Sequence, residues 1–148
     1  MAAGTWQVYG LGLLAILNKE VDLNGNANIW WMFTSVTHTP NVDTHDYESD
    51  LTNIVSGTNL PAAGIITVTP AVATYTAGTN TLMADLPDLS VVNVTATGVR
   101  NLHIVDKTSG AAATNPLIAY CTLDGDLSPN AGTLSVTVDA AGLFTIVV

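Results

Sequence analysis

The chain carries little charge, and almost none of it is positive. Only 10% of its 148 residues are Asp, Glu, Lys or Arg, where a soluble domain usually has about 25%. The cations are Lys19, Arg100 and Lys107 alone, and the formal net charge is −9. A nucleic-acid surface needs a basic stripe to neutralise phosphates. Three scattered cations cannot build one, nor the basic patch that draws a protein to anionic lipid. Neither nucleic acid nor membrane is therefore an expected partner. Cysteine is nearly absent too. The single Cys121 excludes an intrachain disulfide. It sits in the apolar run Leu117-Ile118-Ala119-Tyr120-Cys121, which predicts a buried, inert thiol. Packing alone must then hold the core. No apolar run approaches the ~18 residues that span a bilayer. Leu11–Leu17 is apolar, but no Lys or Arg precedes it and no convincing cleavage site follows, so a signal peptide is not expected. Asn93-Val94-Thr95 matches a glycosylation acceptor, a triplet that arises readily by chance in a Thr-rich chain.

What is present is apolar and small-polar. Hydrophobic residues reach 48%, which excludes intrinsic disorder. The length suits one domain over residues 1–148 with a real core. Thr, Asn, Ser, Ala and Gly take the place of the missing charges. They make a neutral surface, unlike that of a free cytosolic monomer. Partners that cover the surface would explain it, as would a secreted β-domain.

Trp6 to about Asn18 reads as the one substantial helix. Trp6, Tyr9, Leu13, Ile16 and Leu17 fall on one face at helical spacing, and Leu11 and Leu14 widen the stripe. A helix apolar on nearly all sides needs cover on more than one of them. Asn24-Gly25 is a turn signal. In Asn28–Thr34, Trp30 and Met32 share one face while Trp31 and Phe33 share the other. This pattern predicts a central strand covered on both sides, with the helix on one face and a second sheet on the other. Further strands are expected at Ile65–Thr69, Ala71–Tyr75, Thr81–Asp85, Val91–Thr97, Leu102–Val105, Leu117–Leu123, Thr133–Asp139 and Leu143–Val148. The break at Ala140-Ala141-Gly142 is short enough for a hairpin. Many short strands with regular turns predict a mainly β, single-domain β-sandwich or jelly-roll-like fold with one N-terminal α-helix.

Residues able to do chemistry are few. Asp43, His45, Asp46, Glu48 and Asp50 offer oxygen ligands for Ca²⁺, but their spacing is not that of an EF-hand loop. Asp and Thr here serve first as turn formers, and Thr44 or Asp43 could cap a short helical turn over Tyr47–Leu51. Asp124-Gly125-Asp126 likewise reads as a turn. His38, His45 and His103 lack the spacing and the cysteine partners of a zinc site; each reads as a hydrogen-bonded or surface histidine. No Gly-x-Ser-x-Gly elbow and no phosphate-cradling loop occurs. No enzyme activity, metal or cofactor is expected.

Several runs together resemble a known group. They are Leu17-Asn18-Lys19-Glu20-Val21-Asp22, Thr39-Pro40-Asn41-Val42-Asp43-Thr44-His45-Asp46, Val55-Ser56-Gly57-Thr58, Pro116-Leu117-Ile118-Ala119-Tyr120 and Gly142-Leu143-Phe144-Thr145-Ile146. From about Tyr9 onward the chain resembles small virion structural proteins of tailed bacteriophages, head decoration or minor structural proteins among them. The Thr39–Asp46 run is the most distinctive. The chain departs from the group after Thr58, where a glycine pair and an aromatic are expected. It departs again at Ala84–Leu89, where an acidic run ending in Trp is expected. The resemblance implies a non-enzymatic virion component. The foremost expectation is a capsid decoration, or cement, protein on the head surface, with itself as a homo-oligomer (a trimer being one candidate) and the major capsid protein or other virion proteins as partners. A tail, neck or baseplate component is the alternative, and a carbohydrate-binding β-sandwich module a second. The expected contact surface is the apolar helix, through Trp6, Tyr9, Leu11 and Leu14.

Overall fold

The computed structural model describes residues 4–67, 69 and 71–147. In chain order its elements are β1 (Gln7–Val8), α1 (Gly10–Leu17), β2 (Ile29–Thr34), a 3-10 turn (Glu48–Asp50), β3 (Ile65–Ile66), β4 (Val72–Thr76), β5 (Thr81–Asp85), β6 (Leu89–Val94), β7 (Val99–Asp106), β8 (Leu117–Leu127), β9 (Gly132–Val136) and β10 (Phe144–Val147). The fold is mainly β, sandwich-like, with one helix. The expected strands Ile65–Thr69 and Leu143–Val148 include Val68 and Val148, which lie outside the described residues.

All strand pairs are antiparallel. A five-stranded sheet has the order β1-β8-β7-β2-β3, and two small sheets, β10-β5-β4 and β6-β9, complete the fold. The alternation of β2 builds the two sides of the large sheet. Trp31 lies opposite Ile104 and Phe33 opposite Leu102. On β8, Ala119 and Cys121 continue those two rows. This front face shares one core with Ala84 and Leu143 near the first small sheet and with Leu89, Leu134 and Val136 of the second. On the back face Met32 lies opposite His103, and Tyr120 continues that row. Both faces of β2 are thus covered, as its large apolar residues require.

The cover of the back face differs from expectation. Helix α1 begins only at Gly10. Trp6 to Tyr9 is not helical; Gln7 and Val8 pair with Tyr120 and Ala119 of β8. The β8 edge offers Gln7 and Val8 backbone hydrogen bonds, and the helix forms only beyond Tyr9, despite its two glycines. The helix sends Ala15 and Ile16 into the main core. The back face is closed chiefly by the segment between β2 and the 3-10 turn, with Tyr9, Val42 and Leu51 packed around Met32, Val105 and Leu117.

Two turn expectations fail for one reason, that the partner strand is chosen by the sheets and not by the local sequence. Asp139–Gly142 does turn, with Gly142 N–H donating to Asp139 O at 2.7 Å. The chain then leaves for the other small sheet, where β10 pairs with β5, while β9 pairs with β6. No hairpin forms, because the turn carries the chain between sheets. Asp124-Gly125-Asp126 lies within β8, which stays extended because its far end pairs Leu127 with Val99.

Gly12 sets how closely α1 seats on β8. A Cβ at this position would collide with the carbonyl oxygen of Leu117. Helix propensity alone would favour Gly12→Ala by about 1 kcal/mol. Steric overlap with backbone should reverse the sign and give a net loss of about 1–3 kcal/mol. Urea unfolding of the variant tests this; an unchanged or raised midpoint would show that the helix can retreat freely.

Candidate functional site

Two features stand out once the fold is assembled: a buried cluster of titratable rings behind the large sheet, and an apolar groove beside α1.

The buried cluster gathers all three histidines. His103, on β7, is fully buried. Its Nδ1 lies 3.0 Å from the Tyr9 hydroxyl and its Nε2 lies 3.0 Å from the Thr34 hydroxyl. A neutral imidazole has one donor and one acceptor nitrogen, and a hydroxyl can answer either, so this ring is satisfied uncharged. Asn101 extends the network: its Nδ2 donates to Thr34 Oγ1 at 3.1 Å and to His38 O at 3.1 Å, while Thr122 Oγ1 donates to its Oδ1 at 2.8 Å. His38 is 4% exposed, and its Nδ1 lies 3.1 Å from the Thr52 hydroxyl. The ring centroids of His38 lie 5.3 Å from His45 and 5.2 Å from His103. The Tyr9 ring stacks beside both His45 and His103. His38 Nε2 and His45 Nδ1 are buried with no hydrogen-bond partner among the described residues.

Burial dominates the electrostatics of the cluster. It pushes the Tyr9 phenol well above its usual range, helped by Tyr120 and Asp50. Burial likewise holds His103 well below the ordinary histidine value, with His38 and His45 adding to the effect. His38 is lowered by burial and then by His45. Each side chain was visible in the sequence as a lone histidine; their convergence was not. His38 and His45 sit in a segment without regular structure, and nothing local brings them to β7.

The acidic loop is a backbone device. Asn41 Oδ1 accepts from the N–H groups of Asp43 and Thr44 at 2.9 and 3.2 Å. Asp50 Oδ2 accepts from those of Asp46 and Tyr47 at 2.8 and 3.0 Å. Burial pulls the Asp50 carboxyl up, but these two donors together with His45 outweigh it and hold it below its usual value. Tyr47, not Thr44 or Asp43, is the N-cap of the 3-10 turn. Glu48 reaches the other way, to Lys107 Nζ at 2.6 Å and Asn115 Nδ2 at 2.6 Å. Among the described residues no group of three or more His, Cys, Asp or Glu side chains is arranged to hold a metal ion. Cys121 is buried, and burial pushes its thiol up to about 11, as expected of an inert sulfur.

The apolar helix surface survives in altered form. Tyr9 is fully buried within its own fold and cannot be a contact residue, because the chain before Gly10 is a strand and the assumed helical stripe does not exist there. Trp6 packs edge-on against Trp31 at 5.7 Å and is half-buried, as is Leu11. Leu14 and Leu17 are 50% and 70% exposed. Leu17 does not share one face with a buried Tyr9 as the helical spacing predicted; the buried positions of the helix are Gly12 and Ala15.

Beside these leucines runs an apolar groove of about 440 Å³. Leu13, Ile16 and Leu17 form its helical wall, and Leu82, Phe144 and Ile146 of the β10-β5-β4 sheet form much of the other. Every residue of β4 is exposed, Tyr75 among them at 54%. From Leu51 to Ala84, through β3, β4 and most of β5, no side chain is charged. Trp30 and Trp31 offer no exposed aromatic platform. Trp31 is buried, and Lys107 Nζ lies 5.3 Å from the centre of the Trp30 ring.

Tyr9→Phe should cost about 1–3 kcal/mol, because it strands a buried imidazole nitrogen. Chemical denaturation at neutral pH measures it, and a loss near zero would show the hydroxyl pairing to be idle. The lowered His38 and His103 also set a sign for pH. The unfolded chain takes up their protons first, near 6.5, so stability is full above that value and falls as pH drops below it. Denaturation midpoints measured on both sides of that value should decline toward acid. Comparison of the chain with protein-family models, curated proteins and solved structures found no match.

Proposed function

We propose that the protein is a non-enzymatic structural component of a tailed-phage virion, a decoration protein that docks on the outer surface of the head through the groove beside α1. The observation that carries this is the apolar groove between helix and sheet, walled by Leu13, Ile16 and the exposed Leu17, with the exposed Leu14 one helical turn from Leu17. A free monomer gains nothing from leaving such surface in water, whereas a neighbour that covers it gains about 25 cal/mol for each Å² removed from water. The uncharged Leu51–Ala84 stretch supports the same role, since neutral surface can be packed against neighbours without desolvating ions. The sequence resemblance supplies the setting. The acidic remainder of the molecule suits an outer face that does not attract DNA. Such a protein bridges adjacent capsid subunits and resists outward pressure from packaged genome by contact area, without an active site.

Leu14→Asp and Leu17→Asp should each leave stability within about 0.5 kcal/mol of the parent, because both positions are exposed. Both should sharply reduce incorporation into particles. Quantitative mass spectrometry of purified virions provides the readout. Hundreds of copies per particle and loss of the two variants are expected. About six copies or fewer would move the protein to the neck or tail tip, and normal incorporation of both variants would remove the groove from the contact. The isolated chain should self-associate in sedimentation equilibrium; a monodisperse monomer at high concentration would argue against a homo-oligomer.

A further inference from the structure

The cluster behind the large sheet is more than core, because its parts come from segments that could separate. His103 belongs to β7, while Tyr9 precedes α1 and His38 and His45 flank the loop that closes the back face. We propose that this cluster is an acid-released latch: protonation of its imidazoles frees the Thr37–His45 loop and the start of α1 from the back of the sheet while the sheet itself stays folded.

The geometry favours release over accommodation. His38 Nδ1 accepts the Thr52 N–H at 3.3 Å, so the neutral ring carries its proton on Nε2. That nitrogen, like His45 Nδ1, has no partner among the described residues. A second proton, on His38 Nδ1, would face the Thr52 N–H donor. His38 stands 5.3 and 5.2 Å, ring centre to ring centre, from His45 and His103, so charged rings would repel one another in a poorly solvated space. The groups that face the cluster offer little compensation. From β1–α1 comes the Tyr9 phenol, and from β8 the Tyr120 phenol, whose hydroxyl already donates to Gln7 Oε1 at 2.8 Å. From β7 comes His103 itself. From the 3-10 turn comes Asp50, whose carboxyl is lowered in part by His45, and its Oδ2 is already shared by two backbone N–H groups. Asp46 and Tyr47 adjoin it, with Glu20 acting on both. The carboxylate coupled to His45 is therefore already engaged by backbone donors.

The opening would be local because the loop is held at its ends by other means. Asn101 holds the Ser35 and His38 carbonyls at 3.2 and 3.1 Å. The Glu48–Lys107 pair holds the far end. Between them the loop has no regular structure except its Asx turn, while β7 is paired on both sides, to β2 and, with two register shifts, to β8. The loop is also tied to the helix, since Gly10 N–H donates to Val42 O at 2.9 Å. Loss of the loop would thus loosen the element that forms one wall of the groove. The latch concerns the isolated chain and stands or falls apart from any role in a virion.

Hydrogen–deuterium exchange of the full chain at about pH 7.5 and about pH 5, corrected for intrinsic rates, tests it across the histidine range. Peptides covering Thr37–His45 and Gln7–Leu13 should exchange at least about tenfold faster at the lower pH, while the centres of β7 and β8 keep their protection. Unchanged exchange in the loop, or opening of β7 and β8 in step with it, would overturn the latch. The His38→Gln, His45→Gln double variant should lose most of the acid response. Because that variant could open at neutral pH, imidazole NMR titration of the parent gives a second readout. A cluster imidazole should titrate together with resonances of Tyr9 and Val42, and imidazoles that titrate without disturbing those residues would refute the coupling.

Discussion

Burial of β2 on both faces is the constraint around which the rest of the molecule is arranged. Ile29, Trp31 and Phe33 face the main core, and Met32 turns the other way into a second, smaller one. Neither side can be left to water: each large side chain that enters the interior is worth about 1.5–3 kcal/mol. The sheet alone can cover neither face. Two small sheets close the front, and a long irregular segment closes the back. That segment must bring its own hydrogen bonds, since a buried loop has polar backbone to satisfy. Asn101, the Asn41 side chain and the Asp50 carboxylate meet that need.

The two sides of the sheet therefore differ in kind. The front is packed with aliphatic and aromatic side chains around the buried Cys121 thiol, with the buried Asp106 at the end of its β7 row. The back mixes Met32, Val105 and Leu117 with three imidazoles and two phenols. Apolar packing responds weakly to pH, whereas a buried imidazole is held neutral only as long as protons are scarce. A single sheet thus joins a largely apolar core to one rich in imidazoles and phenols. The helix that forms one wall of the groove is anchored to both, through Ala15 in the front core and Tyr9 in the back one.

The groove owes its existence to a mismatch within α1. The helix spends Gly12 on close approach to β8 and buries only Ala15 besides, which leaves Leu14 and Leu17 exposed. A helix with large residues inward and small ones outward would bury more and dock less. The proposed contact surface is in this sense the counterpart of tight helix–sheet packing. The uncharged Leu51–Ala84 stretch lets the small sheet beside it remain apolar on its exposed side.

Sequence alone determined the properties that periodicity and composition encode. The two-faced β2, the bounds of Thr81–Asp85, the inert Cys121 and the mainly β architecture could all be read from residue order, because each depends on side-chain alternation or on local turn chemistry. The start of α1 could not: Trp6 and Tyr9 keep helical spacing, and only the free edge of β8 made a strand the better state. Strand partnership was likewise undecided until the sheets assembled, so the Asp139–Gly142 turn looked like a hairpin and is a crossover. The three histidines are the clearest case. Their chemistry is local, but their company depends on a loop folding back across a sheet, and long-range contact of that kind leaves no mark on the spacing of residues along the chain.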